Sequence, residues 1–405
     1  DLNSKPKYLC AFGYHRQNWI APLIALEEDV QLVFVFHIYK ADEQIEGLNA
    51  KIVYWSDFSS AQDLLDQIKP QKVIFMSIDS PLTIALNSVA RKMQIRTVFL
   101  QHGLMHSLKM YDEVQRRGTP LQVKTQEPSK NALARRNFIL KFFLSSLRFY
   151  NLKLLIYQFR LSLLERKHSK AIAKSKVYSD LVLADKYIVY TRENAKVLSE
   201  RDKVSDEKLI PVGIPEFDIF FETQSDTETY IEPYMLLIDY PMAEVKEYNN
   251  TGAGYTKKEV NNMYLALSDY AKAKGCSLKI KLHPYSYESE FMVQDKNITY
   301  LRHADTKDLI LKSKLIFGAV SSLMLPALVF KAVVLIEVFE NSDFALRLQE
   351  LGMCDSFTVK EIINGALISA KPKMNSRNKD LFVNEYLYKT DGQSMKRVIS
   401  ELLRD

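Results

Sequence analysis

Two short polar motifs in the second half of the chain combine residue types that bind phosphate. Lys281-Leu282-His283-Pro284 closes the apolar run 277–282, and Ser321-Ser322 follows the apolar run 314–320. Ligands of open α/β sheets bind just beyond the carboxyl ends of the strands. A histidine at such a place, with two hydroxyls at the start of a helix, can hold a phosphate group. The motifs therefore predict a site for a nucleotide-activated donor, contacted by Lys281, His283, Pro284, Ser321 and Ser322.

Each motif also has a simpler interpretation. His283 could cap a backbone group where its strand ends, because Pro284 cannot continue the strand. Serine is a favoured helix N-cap, so one serine of the pair could serve only the helix. The two motifs together favour the phosphate site, since both follow predicted strands.

A carboxylate that could take part in a reaction follows another predicted strand. Asp239 ends the run 234–239, where a carboxylate can act as a general base or a nucleophile. Glu244, close by in sequence, and Asp79, after a strand of the first half, are alternatives. Asp239 could instead cap the turn that follows its strand. We predict that Asp239 and His283 are the catalytic residues.

The first half of the chain offers a second group of polar residues at predicted strand ends. Gln101-His102-Gly103 closes the last of these strands, and Gly103 permits a sharp turn or a close approach of backbone. Arg16 follows the first strand and could bind an acidic ligand. We predict that these residues, with Asp79, lie on the acceptor side, although the Gln101–Gly103 motif could also be only a turn.

Three further residues are predicted to contact the donor. Gly213 lies in a Val212-Gly213-Ile214-Pro215 loop that suits either a donor loop or a hinge between domains. His303 and Asp305 follow the predicted strand 298–301 and could reach the ribose or base of a nucleotide. His, Asp and Glu do not cluster at metal-ligand spacing and no Asp-x-Asp occurs, so neither a metal nor a cofactor is predicted.

The length and pattern of the chain predict two α/β domains. A chain of 405 residues suits two cores. Short apolar runs alternate with helical patterns, as in parallel sheets covered on both faces. The predicted strands are 8–12, 32–37, 51–55, 72–77 and 97–100 in the first half, and 234–239, 277–282, 298–301, 314–320 and 333–338 in the second.

We predict two Rossmann-like domains whose parallel sheets face a central cleft, with a basic helical insertion between them. The predicted boundaries are 1–127 for an acceptor domain, 128–185 for the insertion, 186–370 for a donor domain and 371–405 for C-terminal helices that pack back on the core.

Positive charge is concentrated in the predicted insertion. Twelve Lys and Arg residues lie between Lys130 and Lys176, with Glu165 as the single acidic residue. The positions of the cations predict two helices broken near Asn151. The segment could pack on the core with a solvated basic face, or dock on an anionic membrane surface. Nucleic-acid binding is not predicted, because no recognised motif supports it.

The same motifs resemble a known group of enzymes. Gln101-His102-Gly103, the loop 213–218, His283-Pro284 and Ser321-Ser322 occur in the order found in bacterial GT-B transferases that use CMP-activated ulosonic acids. That group of capsule and lipopolysaccharide transferases includes the GT-B sialyltransferases and polysialyltransferases, and the Kdo transferases of capsule assembly. The resemblance covers roughly residues 97–340.

The resemblance implies a metal-independent glycosyltransferase of the GT-B fold. His283 and the serine pair would hold the phosphate of CMP or the donor carboxylate, and the acceptor would be a bacterial surface polysaccharide or glycolipid. The sialyltransferases carry an acidic pair followed by glycine, which this chain lacks, so the Kdo branch with Asp239 is favoured. Related enzymes that move polyol phosphates from CDP donors in teichoic-acid-like synthesis fit the same motifs. A third alternative, that this chain is a non-enzymatic partner protein or a nucleic-acid-binding module built around the basic helices, would leave these motifs unexplained.

The sequence also predicts a location. Cys10, Cys276 and Cys354 are odd in number and far apart, which is typical of buried thiols in a reducing compartment. No uncharged run reaches the 18–20 or so residues that span a bilayer. We therefore expect a cytoplasmic protein that is peripheral on the inner face of the bacterial membrane.

Overall fold

A computed structural model describes most of the chain. The described residues are 5–13, 17–40, 49–105, 132–147, 152–222, 231–244, 254–319, 321–338, 343–370, 372, 374 and 377–404.

The described residues form strands and helices that are numbered here in chain order. The strands are β1 Lys7–Cys10, β2 Gln31–Val35, β3 Lys51–Val53, β4 Lys72–Phe75, β5 Arg96–Leu100, β6 Lys186–Val189, β7 Leu209–Pro211, β8 Tyr234–Ile238, β9 Ser277–Lys281, β10 Ile298–Leu301, β11 Leu315–Gly318, β12 Val333–Glu337 and β13 Asp355–Thr358. The helices are α1 Gln17–Ile24, α2 Ala61–Ile68, α3 Pro81–Lys92, α4 Ala132–Ser146, α5 Leu152–Glu165, α6 Lys170–Ser175, α7 Arg192–Asp202, α8 Asp218–Phe221, α9 Lys257–Ala273, α10 Thr306–Lys312, α11 Met324–Phe330, α12 Asp343–Glu350, α13 Val359–Ile363, α14 Lys379–Tyr386 and α15 Ser394–Leu403.

The chain divides into two compact units. The first comprises the described residues up to Asp218 and from Gln393 onward, and the second those from Ile219 to Gly392. The first unit has a sheet of seven parallel strands in the order β3-β2-β1-β4-β5-β6-β7, and the second a sheet of six parallel strands in the order β10-β9-β8-β11-β12-β13. The predicted fold class, two Rossmann-like domains with parallel sheets, is confirmed.

The strands form where the sequence has short apolar runs. All five residues of β8, Tyr-Met-Leu-Leu-Ile, are buried, as expected for a central strand covered on both faces. Helix starts carry their own signals. The hydroxyl of Thr256 accepts from the N–H of Glu259, whose carboxylate accepts from the N–H of Thr256, so that α9 begins with a capping box.

The units do not follow the predicted boundaries everywhere. The sequence assigned residues from 186 onward to the second domain, whereas β6 and β7 extend the sheet of the first unit beside β5. The first unit therefore continues to Asp218. It also includes α15, which the sequence grouped with other C-terminal helices.

Two buried charges hold the ends of α15 against the first unit. The carboxylate of Asp218 accepts from the N–H groups of Ser394 and Met395, at 3.0 and 2.7 Å, and so caps the start of the helix. At the other end, the ammonium group of Lys72 donates to the carbonyl of Leu402 at 2.8 Å. Both Lys72 and Asp218 are buried, so α15 is an integral part of this unit.

Gly213, just after β7, lies in close contact with α15. A Cβ atom on Gly213 would lie 2.2 Å from the Oγ of Ser394, and the residue has a φ of +95°. Arg397 of the same helix donates to the carbonyl of Val212 at 2.7 Å. The glycine is therefore explained by this close approach, without a ligand.

The described residues of the basic segment form three helices, α4, α5 and α6. Helix α4 ends at Ser146 and α5 begins at Leu152, and the predicted break near Asn151, like Lys130 and Arg148, lies outside the described residues. Phe142 and Phe143 of α4 are buried in the same hydrophobic cluster as Leu154 and Leu161 of α5. Both helices are therefore packed on the first unit.

The contact at Gly213 predicts a large loss of stability on substitution. Gly213→Ala should lower the free energy of unfolding by roughly 2–4 kcal/mol, because overpacking adds to an unfavourable φ. Gly103→Ala is the matched control in the same unit, since Gly103 has a φ of +65° but no atom within 4 Å of its added Cβ. That control should lose only about 1 kcal/mol in chemical denaturation. Equal losses for the two variants would contradict the close-approach explanation.

Candidate functional site

The strand order of the second sheet reverses beside β8. The chain runs from β8 outward through β9 and β10, then returns to the other side of β8 as β11. Ile238, the last residue of β8, pairs with Lys281 of β9 and with Gly318 of β11. Ligands of open α/β sheets bind where the strand order reverses, beyond the carboxyl ends of the strands. Asp239, His283 and the serine pair all follow strands at this edge.

The His283 side chain has a defined hydrogen-bonding state. Its Nδ1 accepts from the N–H of Tyr285 at 3.2 Å, in the turn Pro284–Ser286. An imidazole nitrogen that accepts carries no proton, so the neutral ring carries its proton on Nε2. Burial lowers the pKa of His283, and the neighbouring charge of Lys281 lowers it further while Glu244 opposes both. The half-buried ring is therefore neutral near pH 7 and has Nε2–H as its donor.

Asp239 lies beneath the turn that carries His283. Its carboxylate accepts from the hydroxyl of Tyr264 at 2.9 Å and from the backbone N–H of His283 at 3.2 Å. The residue is only 5% exposed. Burial raises the pKa of Asp239 to about 6, although hydrogen bonds from Tyr264, His283 and Ser286 favour the charged form. This carboxylate fixes the backbone of His283.

In this structure the Asp239 side chain holds the turn after β9, not the turn after its own strand that the simpler interpretation named. Both carboxylate oxygens are engaged by the protein, whereas a nucleophile or base has to contact the reacting atoms of a substrate. Glu244, the nearby alternative, is half-buried and accepts a hydrogen bond from the hydroxyl of Ser289.

The serine pair precedes α11 but does not cap it. The helix begins at Met324, whose N–H donates to the carbonyl of Ser321 at 3.0 Å, and its N-cap residue is Leu323. The sequence predicted that this helix starts at Ser321. Ser321 is half-buried and Ser322 is exposed, so the two hydroxyls are accessible from solvent to different degrees.

Gly318, the last residue of β11, lies close to the start of α11. A Cβ atom on Gly318 would lie 2.4 Å from the Sδ of Met324. The absence of a side chain at the end of β11 lets the first turn of α11 pack onto the strand.

Of the other residues predicted to contact the donor, Lys281 and Pro284 lie next to His283, whereas His303 lies at the edge strand of the sheet. Pro284 is the first residue of the turn after His283, and Lys281 is the last residue of β9, where its ammonium donates to the carbonyl of Leu282 at 3.4 Å. His303 is exposed after β10, the outermost strand, with its ring centroid 5.2 Å from that of Tyr287.

Asp305 has a structural partner. Its carboxylate accepts from the N–H of Asp308 at 3.1 Å and so caps α10. This contact accounts for an acidic residue at that position without a ligand.

The first unit has a cavity of about 700 Å³ at the carboxyl ends of β1, β2 and β4. The strand order of this sheet reverses between β1 and β4, so the cavity lies at the corresponding point of the first sheet. Its walls include the aromatic rings of Trp19, Phe36 and Tyr39, together with His102 and Asp79. Aromatic surface beside a few polar groups suits a ligand that has both apolar faces and hydroxyls.

Two of the predicted acceptor-side residues thus meet in one cavity. The His102 ring lies against Trp19, with 4.5 Å between centroids. Asp79 forms an ion pair with Lys170 of α6 at 3.2 Å. Arg16 lies outside the described residues.

Gln101 is a structural residue. It is 2% exposed, its amide donates to the carbonyl of Gly103 at 2.8 Å and to Asn194 at 2.5 Å, and its Oε1 accepts from the N–H of Tyr190 at 2.8 Å. Gln101 and Gly103 therefore shape the loop that carries His102.

Sequence reasoning missed the residues that support the site. Tyr264 lies on the buried face of α9 with Val260 and Leu267, and this spacing indicates only a core position. Its hydroxyl is recognisable as part of the site only when β8 and α9 are brought together. Likewise, nothing in the sequence pattern singled out Ser286 as a hydrogen-bond donor to Asp239.

Two further findings concern the described residues. Among them, no group of three or more His, Cys, Asp or Glu side chains could hold a metal ion. Within the same part of the chain, no helix is long and apolar enough to cross a membrane.

Several solved structures have a similar fold. CalG4, the calicheamicin glycosyltransferase, matches 98% of this chain and 97% of its own chain at 12% identity, with a TM-score of 0.55. The wall teichoic acid polymerase TagF matches 100% of this chain and 92% of its own at 12% identity, with a TM-score of 0.46. No protein-family model matches the sequence, and no curated protein matches it. At these identities the similarity to CalG4 shows the fold, and the chain has the two Rossmann-like units of GT-B glycosyltransferases.

The raised pKa of Asp239 predicts a pH dependence of stability. The folded protein binds the proton of this carboxyl more tightly than the unfolded chain, where the pKa is near 4. The Asp239 contribution to stability should therefore increase as the pH falls from about 7 to about 4, by on the order of 3 kcal/mol.

The comparison of wild type with Asp239→Asn across this pH range isolates that contribution from other carboxyl groups. Because the lowered pKa of His283 acts in the opposite direction, the same pair should also be compared in a His283→Ala background. A stability difference that is independent of pH, or that favours wild type more as the pH rises, would contradict the assignment.

Proposed function

We propose that this protein is a glycosyltransferase that binds the nucleotide of an activated donor at the carboxyl edge of the second sheet. The GT-B fold supports a transferase with a nucleotide-linked donor, because it is the fold of the glycosyltransferase CalG4. The proposal puts the nucleotide at the reversal point beside β8, near His283 and the Ser321-Ser322 pair.

The state of His283 is the observation that carries this proposal. Its Nδ1 is occupied by the N–H of Tyr285, so Nε2–H is the donor that the ring can offer to a ligand. The backbone beneath it is fixed by the buried carboxylate of Asp239. A neutral imidazole held in one tautomer at a strand end is a preorganised hydrogen-bond donor for a phosphate oxygen.

His283 and the serine pair would act on the same phosphate from two sides. They follow β9 and β11, which flank β8, so their strands lie roughly 10 Å apart. Negative charge grows on the phosphate as the nucleotide leaves, and preorganised donors stabilise that charge most in the transition state. We propose that these groups, together with Lys281, supply this stabilisation without a metal or cofactor, as the family resemblance implies.

We propose a positioning role for Asp239 rather than the nucleophilic role that the sequence predicted. Its carboxylate contacts Tyr264 and the backbone of His283, and through them it would hold the donor site in shape. Its action as nucleophile or base stays a prediction from the sequence, as does the same role for Asp79 or Glu244.

CMP is the nucleotide that we propose. The motifs Gln101-His102-Gly103, His283-Pro284 and Ser321-Ser322 resemble those of the CMP-ulosonic acid transferases. Kdo is the proposed sugar, because the chain lacks the acidic pair followed by glycine that the sialyltransferases carry. A sialic acid donor, or a CDP-linked polyol phosphate of teichoic-acid-like synthesis, would use the same phosphate site. Selectivity among nucleotides separates the CDP alternative from the CMP donors.

The cavity of the first unit is the proposed acceptor site. It combines aromatic walls with His102 and Asp79, which fits the alternating apolar faces and hydroxyls of a sugar. The proposed acceptor is a bacterial surface polysaccharide or glycolipid under assembly at the cytoplasmic face of the membrane. The protein would then be cytoplasmic and peripheral on that membrane.

The donor proposal predicts selective stabilisation by CMP. At a concentration about 100-fold above its dissociation constant, a ligand adds about 2.7 kcal/mol to stability. The melting temperature should rise with CMP more than with CDP, UDP or GDP. His283→Ala should weaken CMP binding on the order of tenfold to 100-fold, because a hydrogen bond to a charged group is lost.

His168→Ala is the matched control, since His168 is a half-buried histidine of the first unit that contacts Lys176. It should keep the full CMP shift. Selectivity for CDP would favour the polyol phosphate alternative. A CMP shift that persists in His283→Ala would remove His283 from the donor site, and no shift with any nucleotide would refute the donor proposal.

A further inference from the structure

Helix α5 exposes a row of large apolar side chains. Leu152, Leu155, Ile156, Phe159 and Leu163 are all exposed, and Leu152 and Phe159 retain 66% and 65% of their accessible surface. At 100° per residue these five side chains fall within roughly 100° of the helix surface. They form one continuous apolar stripe.

The stripe lies opposite the face that packs on the protein. Leu154, Tyr157 and Leu161 of the same helix are buried in the hydrophobic cluster of the first unit. The inner face thus accounts for the attachment of α5 to its unit. The outer face presents its apolar side chains to solvent.

Helix α4 repeats this arrangement. Leu133, Leu140 and Leu144 are exposed and lie within ~40° of one another around the helix. Phe142 and Phe143 are buried. The eight exposed apolar residues of α4 and α5 are called the docking face below.

Cations border both parts of the docking face. Arg136 and Lys141 are exposed and lie ~60° to ~80° from the leucine stripe of α4, on opposite sides of it. On α5, Lys153 and Arg160 are exposed along one side of the apolar stripe. Apolar stripes bordered by Lys and Arg are typical of helices that lie in a membrane interface.

We propose that the docking face binds the surface of an anionic lipid bilayer. The apolar side chains would enter the boundary between headgroups and acyl chains, while the cations contact the anionic headgroups. Glu165 is the single acidic residue in the sequences of α4 and α5. The charge of the face therefore complements anionic lipid.

The same charges disfavour a second copy of this chain as the occupant. A two-fold dimer would set the docking face against itself. The cations Arg136, Lys141, Lys153 and Arg160 would then face like charges, with one Glu165 per copy to offset them.

Helix α4 also connects the docking face with the cavity. Arg135 and Ile139 line the cavity, whereas Leu133, Leu140 and Leu144 lie on another side of the same helix. A bilayer on the docking face would therefore lie beside the cavity wall. This consequence, which rests on the proposed function, fits an acceptor whose lipid anchor stays in the membrane.

Vesicle flotation tests the docking face directly. The full chain should float with vesicles of phosphatidylcholine that contain phosphatidylglycerol, and much less with pure phosphatidylcholine, and added salt should weaken the binding. Ile156→Ser with Phe159→Ser should reduce binding at least about tenfold. Lys153→Gln with Arg160→Gln should reduce binding to the anionic vesicles by on the order of tenfold at low salt.

The matched apolar control is Ile368→Ser, because Ile368 is 80% exposed on the second unit. The matched charge control is Lys196→Gln with Lys360→Gln, two exposed lysines outside the basic helices. Both controls should float as wild type does. Because CMP stabilisation is measured without lipid, a failure of membrane docking and a failure of the donor site are distinguishable.

Three results would overturn the proposal. The first is a wild-type chain that does not float with anionic vesicles, and the second is variants of the docking face that float as well as wild type. The third is a wild-type dimer that Ile156→Ser with Phe159→Ser converts to a monomer while vesicle binding is absent, which would assign the face to a second copy.

Discussion

The contact between the buried carboxylate of Asp239 and the backbone of His283 is the constraint on which the candidate donor site depends. The strands of a parallel sheet end side by side, but strand pairing does not determine the conformation of the loops that follow them. Asp239 fixes the loop after β9, because it accepts from the N–H of His283 while Tyr264 fixes its other oxygen. Burying the carboxylate costs free energy in its charged form, and this cost appears as a pKa of Asp239 that burial raises to about 6. A polar site at a sheet edge can be precise only if such a contact holds its loop.

In the first unit, an uncharged side chain fixes the loop that follows a strand. Gln101, at the end of β5, is buried and bonds to the backbone of Tyr190 and Gly103 and to the side chain of Asn194. It thereby joins the loop after β5 to the start of α7 and sets the position of His102. In each unit, a buried polar residue at a strand end fixes the loop that carries a histidine, His283 in the second unit and His102 in the first. Each sheet thus has one edge whose loop is fixed by a buried polar residue, with the proposed phosphate site in the second unit and the aromatic cavity in the first.

The sequence predicted the parts of this structure that depend on local pattern. Strand positions followed from short apolar runs, and the polar residues after them followed from the geometry of parallel sheets. Local pattern could not show that β6 and β7 extend the first sheet, since sheet membership depends on distant partners. For the same reason Tyr264 was indistinguishable from a core residue, and Gly213 could not be assigned to the approach of α15. The cation pattern located two helices, whereas the exposed apolar stripes became visible only when the buried faces of α4 and α5 were known.

The most direct test of the account is the protonation state of His283 and its response to CMP. The imidazole nitrogens can be observed by ¹⁵N NMR of histidine-labelled protein, and His283→Gln identifies the signals of this ring among seven histidines. The account predicts a neutral ring with its proton on Nε2, whose Nε2 signal moves on addition of CMP while Nδ1 keeps the shift of an acceptor. A ring with its proton on Nδ1, or an Nε2 signal that is unchanged when CMP is bound, would contradict the central claim.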